Sequence, residues 1–171
     1  MRNLVRLILV TTVISLPTAT FAGDTANPTH PSSAEATKGG VDRGAEEAVA
    51  AVDRFSNALA TGRLNNAAAE LAPDVVILEG GGGEWSAKEY LDGHAHGDAA
   101  FMKGAKVRLV NRIARIDGTL AWVGSESTID VVNDSKPVRL FSAETMVLQR
   151  QAGGWKIVHI HWSSRKQAGT H

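Results

Sequence analysis

The residues best suited to chemistry gather near the end of the chain, where GGWKIVHIHWSSR carries His159 and His161 one residue apart. On a strand such side chains share a face about 7 Å apart. That spacing suits two metal ligands if a third group such as Glu144 joins them. It suits equally a polar pair packed at a subunit contact. His94 and His96 repeat the spelling, but on a helix their side chains diverge by about 200°, so only His94, one turn from Tyr90, is placed to face a pocket. Glu126 and Asp130 stand near Arg139 in the strand-rich half, either as a general base with a raised pKa or as an internal ion pair. Trp122, Trp162 and the sole tyrosine, Tyr90, are either core or the apolar walls of a ligand site. The glycines 80–83 before Trp85 lack the Lys-Ser/Thr of a phosphate loop and read as a connector or a mobile rim.

These residues need a scaffold, and the chain supplies one domain's worth. Its 171 residues are 43% hydrophobic and 21% charged, with 18 basic and 18 acidic side chains and no cysteine. Zero formal charge gives nucleic acid or anionic lipid nothing to hold, so neither is an expected partner. The opening MRNLVRLILVTTVISLPTATFA reads as a secretory signal peptide over 1–22, too short in its apolar run to span a membrane. Residues 23–40, rich in Gly, Pro, Ser and Thr and including His30, read as a flexible leader. The folded domain is expected over 41–165, followed by a tail at 166–171. The mature protein is expected to be periplasmic or secreted.

Ala48, Val52, Phe55 and Leu59 recur at spacings of three and four, which predicts a helix within 44–63. A second helix fits 64–71, stopped by Pro73, and DVVILE reads as a strand. Ser86 and Glu89 have capping-box spacing, starting a helix whose apolar side carries Tyr90, Leu91 and His94. Four strand-like runs follow, at 107–116, 119–132, 137–150 and 155–164. Helices followed by an antiparallel meander define an α+β fold.

The order of elements, and above all FSAETMVLQRQAGGWKIVHIHWSSR, resembles the nuclear transport factor 2-like superfamily, in particular SnoaL-like proteins and the association domain of calcium/calmodulin-dependent protein kinase II. Ser142, Glu144, Thr145, Trp155, Val158, His159, His161 and Ser163 carry the likeness, which covers about residues 44–165. It implies a cone: N-terminal helices packed on a curved antiparallel sheet, a pocket inside and a dimer contact outside. In the association domain, arginines that bind carboxylate ligands stand at positions matching Glu126 and Trp162 and close to Arg139. Here only Arg139 keeps the charge, so carboxylate binding does not carry over intact.

Strand pairing assigns faces. A turn at NDSK sets Val132 opposite Pro137, Asp130 opposite Arg139, Glu126 opposite Ala143 and Gly124 opposite Thr145. A turn at Gly153-Gly154 sets Thr145 opposite Trp162. One face then carries Trp122, Glu126, Arg139, Thr145 and Trp162, and the resemblance makes it the pocket. The other carries Glu144, Trp155, Ile157, His159 and His161 and forms a contact with a second copy.

The expected function is an exported, non-catalytic small-molecule-binding or assembly module, without a cofactor, forming a homodimer or larger homo-oligomer. The candidate ligand-binding residues are Tyr90, His94, Trp122, Glu126, Arg139 and Trp162. Two alternatives stand beside it. One is an isomerase, cyclase or hydrolase of the ketosteroid isomerase or SnoaL kind, which needs a carboxylate base facing a hydrogen-bond donor. The other is a periplasmic metal-binding protein using His159 and His161.

Overall fold

The computed structural model describes residues 40–133 and 136–167; the expected signal peptide, nearly all of the leader and most of the tail lie outside them. Helix α1 (Glu46–Ala60) follows from its apolar stripe, which buries Ala48, Ala51, Val52, Phe55, Ala58 and Leu59. Gly62, at φ 67°, lets the chain turn after it, because a residue without Cβ enters the left-handed region freely. Helix α2 (Leu64–Glu70) leads directly into β1 (Leu71–Glu79), three residues earlier than DVVILE suggested. Pro73 is tolerated there because the pairing of β1 shifts register between Leu71 and Val76, where no ladder donor is required of it.

After the short strand β2 (Gly82–Glu84), the Ser86 hydroxyl accepts from the Glu89 amide and caps α3 (Ala87–Asp92). The helix does not run on to His94. Gly93 breaks it, and His94 opens a further helix, α4 (His94–Met102). Four long strands complete the chain: β3 (Lys106–Asp117), β4 (Leu120–Asn133), β5 (Lys136–Gln151) and β6 (Gly154–Lys166).

The sheet order is β2-β1-β6-β5-β4-β3. The four late strands form the expected antiparallel meander, but β1 adds to β6 in parallel, so the sheet is mixed. One face lies under the helices: Phe55, Val52 and Tyr90 pack in one cluster with Val123, Met146, Leu148, Ile157 and Ile160. Large apolar side chains buried together in this way each contribute about 1.5–3 kcal/mol.

The β4–β5 register is the one the sequence predicts, from Val132 opposite Pro137 to Gly124 opposite Thr145. The β5–β6 register is not. The turn falls at Ala152-Gly153, pairing Gln151 with Gly154, and a bulge then places His159 opposite Val147 although Ile157 faces Leu148. Val158 is the extra residue, and the net result sets Trp162 opposite Glu144 instead of Thr145. A single-residue displacement exchanges faces. Trp162 therefore joins Glu144 on the helix-covered side. Trp155 and Ile157, expected at an outer contact, are buried in the core. A second bulge, at Val110 in β3, brings both Leu109 and Arg112 to the covered side, where they line one cavity.

Candidate functional site

Between the sheet and helices α1 and α4 lies a cavity of about 810 Å³. Its polar floor is built by three neighbouring strands: Ser125 of β4 pairs with Glu144 of β5, which pairs with Trp162 of β6. The Trp162 indole N–H donates to Glu144 Oε2 at 2.7 Å. Its ring stacks on Phe55 at 6.3 Å between centroids and meets Tyr90 at 6.2 Å, so one side chain joins core, wall and carboxylate. Burial pushes the pKa of Glu144 above the ordinary carboxylate value, a rise only partly opposed by the Trp162 hydrogen bond and the Arg112 charge.

Arg112, placed inward by the bulge before it, donates to Asp53 Oδ1 of α1 at 2.7 Å and to Ser125 Oγ at 3.2 Å. Its charge is thus tied to one carboxylate while lying within reach of another. Towards α4 the Tyr90 hydroxyl donates to Asp98 Oδ2 at 2.8 Å. Burial and the neighbouring Asp98 push the Tyr90 pKa far up, holding the phenol protonated. Asp98 and Glu79 are both raised, chiefly by burial. Partly buried carboxylates with raised pKa beside an aromatic wall can bind a polar molecule or exchange a proton with it.

The sequence-derived residues divide. Tyr90 and Trp162 are brought into ring contact, Trp162 lining the cavity and Tyr90 buried behind it. His94 is exposed; its ring Nδ1 pairs with Glu84, which raises the imidazole pKa. It does not share Tyr90's helix face because the chain breaks between them. Trp122, Glu126 and Arg139 lie across the sheet from Glu144, on the open face, since they alternate with the inward Val123, Ser125, Ser127 and Leu140. Trp122 is 40% exposed. Glu126 lines a shallower outer groove of about 530 Å³ with Arg108, Phe141 and Arg165. Arg139 forms an exposed bidentate pair with Asp130, at 2.6 and 2.9 Å.

His159 and His161 also fall on the open face, opposite Val147 and Thr145, and the His159 ring Nδ1 donates to the Val76 carbonyl at 3.0 Å. Glu144 faces the other way and cannot join them as a third ligand. Residues the sequence reading passed over, Asp53, Glu79, Asp98 and Arg112, line the cavity. Asp98 carried no signal of this, since Gly93 separates its helix from that of Tyr90.

This architecture has known relatives. Residues 48–165 match the SnoaL-like domain family. The chain belongs to that family, and its fold is the nuclear transport factor 2-like cone. A solved structure from Shewanella frigidimarina, described provisionally as a ketosteroid isomerase, is 36% identical with a TM-score of 0.66, over 68% of this chain and 94% of that one. A calcium/calmodulin-dependent protein kinase II association domain from Xanthomonas campestris, also provisionally described, is 24% identical (TM-score 0.62; 75% and 94% covered). A dehydratase of the NTF2-like family from Streptomyces avermitilis, equally provisional, is 20% identical (TM-score 0.60; 69% and 93% covered). Comparison with curated proteins returns no match.

Proposed function

We propose that the protein is an exported small-molecule-binding module whose ligand occupies the cavity under the helices. The observation that carries this reading is the Glu144–Trp162 pair at the floor of an 810 Å³ cavity: a few convergent polar groups set among apolar walls is the usual make-up of a ligand site. The register supplies a sharp test. Ser142 points into the cavity and its neighbour Ala143 to the open face. Ser142→Trp fills the cavity and should abolish the hits of a ligand-observed NMR screen, whereas Ala143→Trp should keep them. Hits that survive Ser142→Trp and vanish in Ala143→Trp would sink the proposal.

A second reading, proton-transfer catalysis, draws support from the raised basicity of Glu144 and from the 36% identical relative. On that reading a protonated Asp98, which lines the same cavity and has a raised pKa, is the hydrogen-bond donor. Glu144→Gln would then lose turnover of a bound substrate while keeping its affinity.

Export rests on the 1–22 pattern, and mass spectrometry of the exported chain should find cleavage after Ala22. Retention of Met1 in the exported form would refute it. Self-association through the open face draws support from the association-domain relatives and from apolar residues exposed there, Trp122 at 40% and Val110 at 54%. Light scattering should give at least a dimer mass, and Trp122→Glu should lower it.

A further inference from the structure

The lining of the cavity is ordered along the strands, and the order speaks to the chemistry of the ligand. On β5 the inward residues run Glu144, Ser142, Leu140, each about 7 Å beyond the last. Pairing extends each into a row. The floor is Ser125, Glu144 and Trp162; a middle row is Ser127, Ser142 and Ser164; the rim is Ile129, Leu140 and Lys166. Val107, opposite Ile129, and Phe101 of α4 continue the rim at 50 and 46% exposure, and Leu109, opposite Ser127 and 48% exposed, ends the middle row. A guest therefore meets apolar surface first, hydroxyls next and a carboxylate last.

Charge is distributed unevenly between these rows. Four carboxylates line the cavity, those of Asp53, Glu79, Asp98 and Glu144. The guanidinium among them, Arg112, is bonded to Asp53 and Ser125, and Asp98 is taken by the Tyr90 hydroxyl. Glu144 is left with a neutral donor, the Trp162 N–H. Of the other lining cations, Lys166 belongs to the rim, and Arg165 turns its guanidinium to the open face, 4.6 Å over the Phe141 ring. An anionic head driven to the floor would meet Glu144, with Arg112 in the same row already engaged by Asp53 and Ser125. A cationic head there would give Glu144 a directly bonded counter-charge, through a charge-assisted hydrogen bond that Arg112, held by Asp53 and Ser125, does not make.

We infer that the cavity takes an organic amine, with its protonated nitrogen against Glu144, its polar substituents along the serine row and its apolar body at the rim. This rests on the ligand-binding reading above and narrows its chemistry to the opposite charge from the carboxylate ligands that the resemblance suggested.

Octylamine, octanol and octanoate share one chain and differ in the head group, so they serve as probes. Isothermal titration of the purified protein at neutral pH should rank octylamine first, by about tenfold over octanol, the equivalent of one charge-assisted hydrogen bond. Octanoate should rank last. Glu144→Gln, which keeps an acceptor for Trp162, should bring octylamine down to the level of octanol and leave octanol unchanged. Asp130→Asn, an acid removed from the open face, should change none of the three. Octanoate binding as tightly as octylamine overturns the inference while leaving the cavity reading intact, and this ranking needs no variant to fold. Octylamine binding unaltered in folded Glu144→Gln does the same. If none of the three binds, the cavity reading falls as well.

Discussion

The two faces of the sheet carry nearly the same residues to different ends. Under the helices stand Trp162, Arg112 and the carboxylate of Glu144; on the open face stand Trp122, Arg139 and the carboxylate of Asp130. Trp162 stacks on Phe55, meets Tyr90 at a tilt and is hydrogen-bonded through its indole, while Trp122 is 40% exposed. Arg112 reaches from β3 to α1; Arg139 pairs with the residue directly across the hairpin. Burial pushes the Glu144 pKa up, whereas its partner arginine draws that of Asp130 down. Residue type alone does not make a site. What separates the faces is the withdrawal of water, which raises the energy of a charge and the strength of every contact made to it.

The tryptophans test this contrast most strongly. Trp162→Ala should cost about 3 kcal/mol or more, in the range for deleting a large packed aromatic, while Trp122→Ala should cost under about 1 kcal/mol, as surface changes do. Urea denaturation of both variants decides it. Equal losses would mean that the β6 register described here is wrong. The arginines come next. Arg112→Ala leaves the buried Ser125 hydroxyl without its donor and the exposed Asp53 without its partner, and should cost about 1 kcal/mol, with α1 loosened from β3 in hydrogen exchange. Arg139→Ala should leave the denaturation midpoint where it is.

A smaller effect carries a sign. Glu144 has a folded-state pKa above its ordinary 4.5, so the folded protein holds this proton more firmly than the unfolded chain does. Its contribution to stability is therefore fully present below the unfolded value and is lost as pH rises through the raised one. Glu144→Gln removes the charge and retains the acceptor for Trp162. The variant should melt higher than the parent at pH 8, and the difference should shrink as pH falls towards 4. A variant less stable at pH 8 than at pH 4, relative to the parent, would mean that Arg112 dominates burial at this carboxylate.

Much of the fold is legible in the sequence. The stripe of Ala48, Val52, Phe55 and Leu59 marks α1, the Ser86–Glu89 spacing marks the start of α3, and two-residue periodicity with a short polar turn fixes the β4–β5 register. The site is less so, because it depends on parity. Alternation along a strand says which residues share a face only until a bulge intervenes, and the bulges at Val110 and Val158 leave no mark in the pattern of apolar residues. The second, with a turn one residue earlier than the glycines suggest, moved Trp162 across the sheet. Trp122, Glu126 and Arg139 were grouped with it by a correct β4–β5 pairing joined to a displaced β5–β6 one. Gly93 is visible in the sequence, yet nothing local says that it splits the helix and sends His94 to Glu84 instead of to Tyr90's side.

The smallest effect belongs to the ion pair of the open face. Asp130 and Arg139 make two short hydrogen bonds, yet their side chains remain 41% and 51% exposed, and solvent screens such a pair even when its geometry is good. Asp130 has its pKa held below the ordinary 3.8, first by the Arg139 hydrogen bond. Stability from this source is thus present above the unfolded value and disappears as pH falls through the folded one, opposite in sense to Glu144. A double-mutant cycle with Asp130→Asn and Arg139→Ala should find a weak coupling at neutral pH and low salt. Because the Debye length falls to about 3 Å at 1 M salt, that coupling should be lost there, while the effect of Arg112→Ala on the covered face should persist. A coupling on the open face that survived both high salt and low pH would show that Asp130 and Arg139 are shielded from water in solution, as they would be beneath a second copy of the chain, and the contrast between the two faces would then hold only for the isolated protomer.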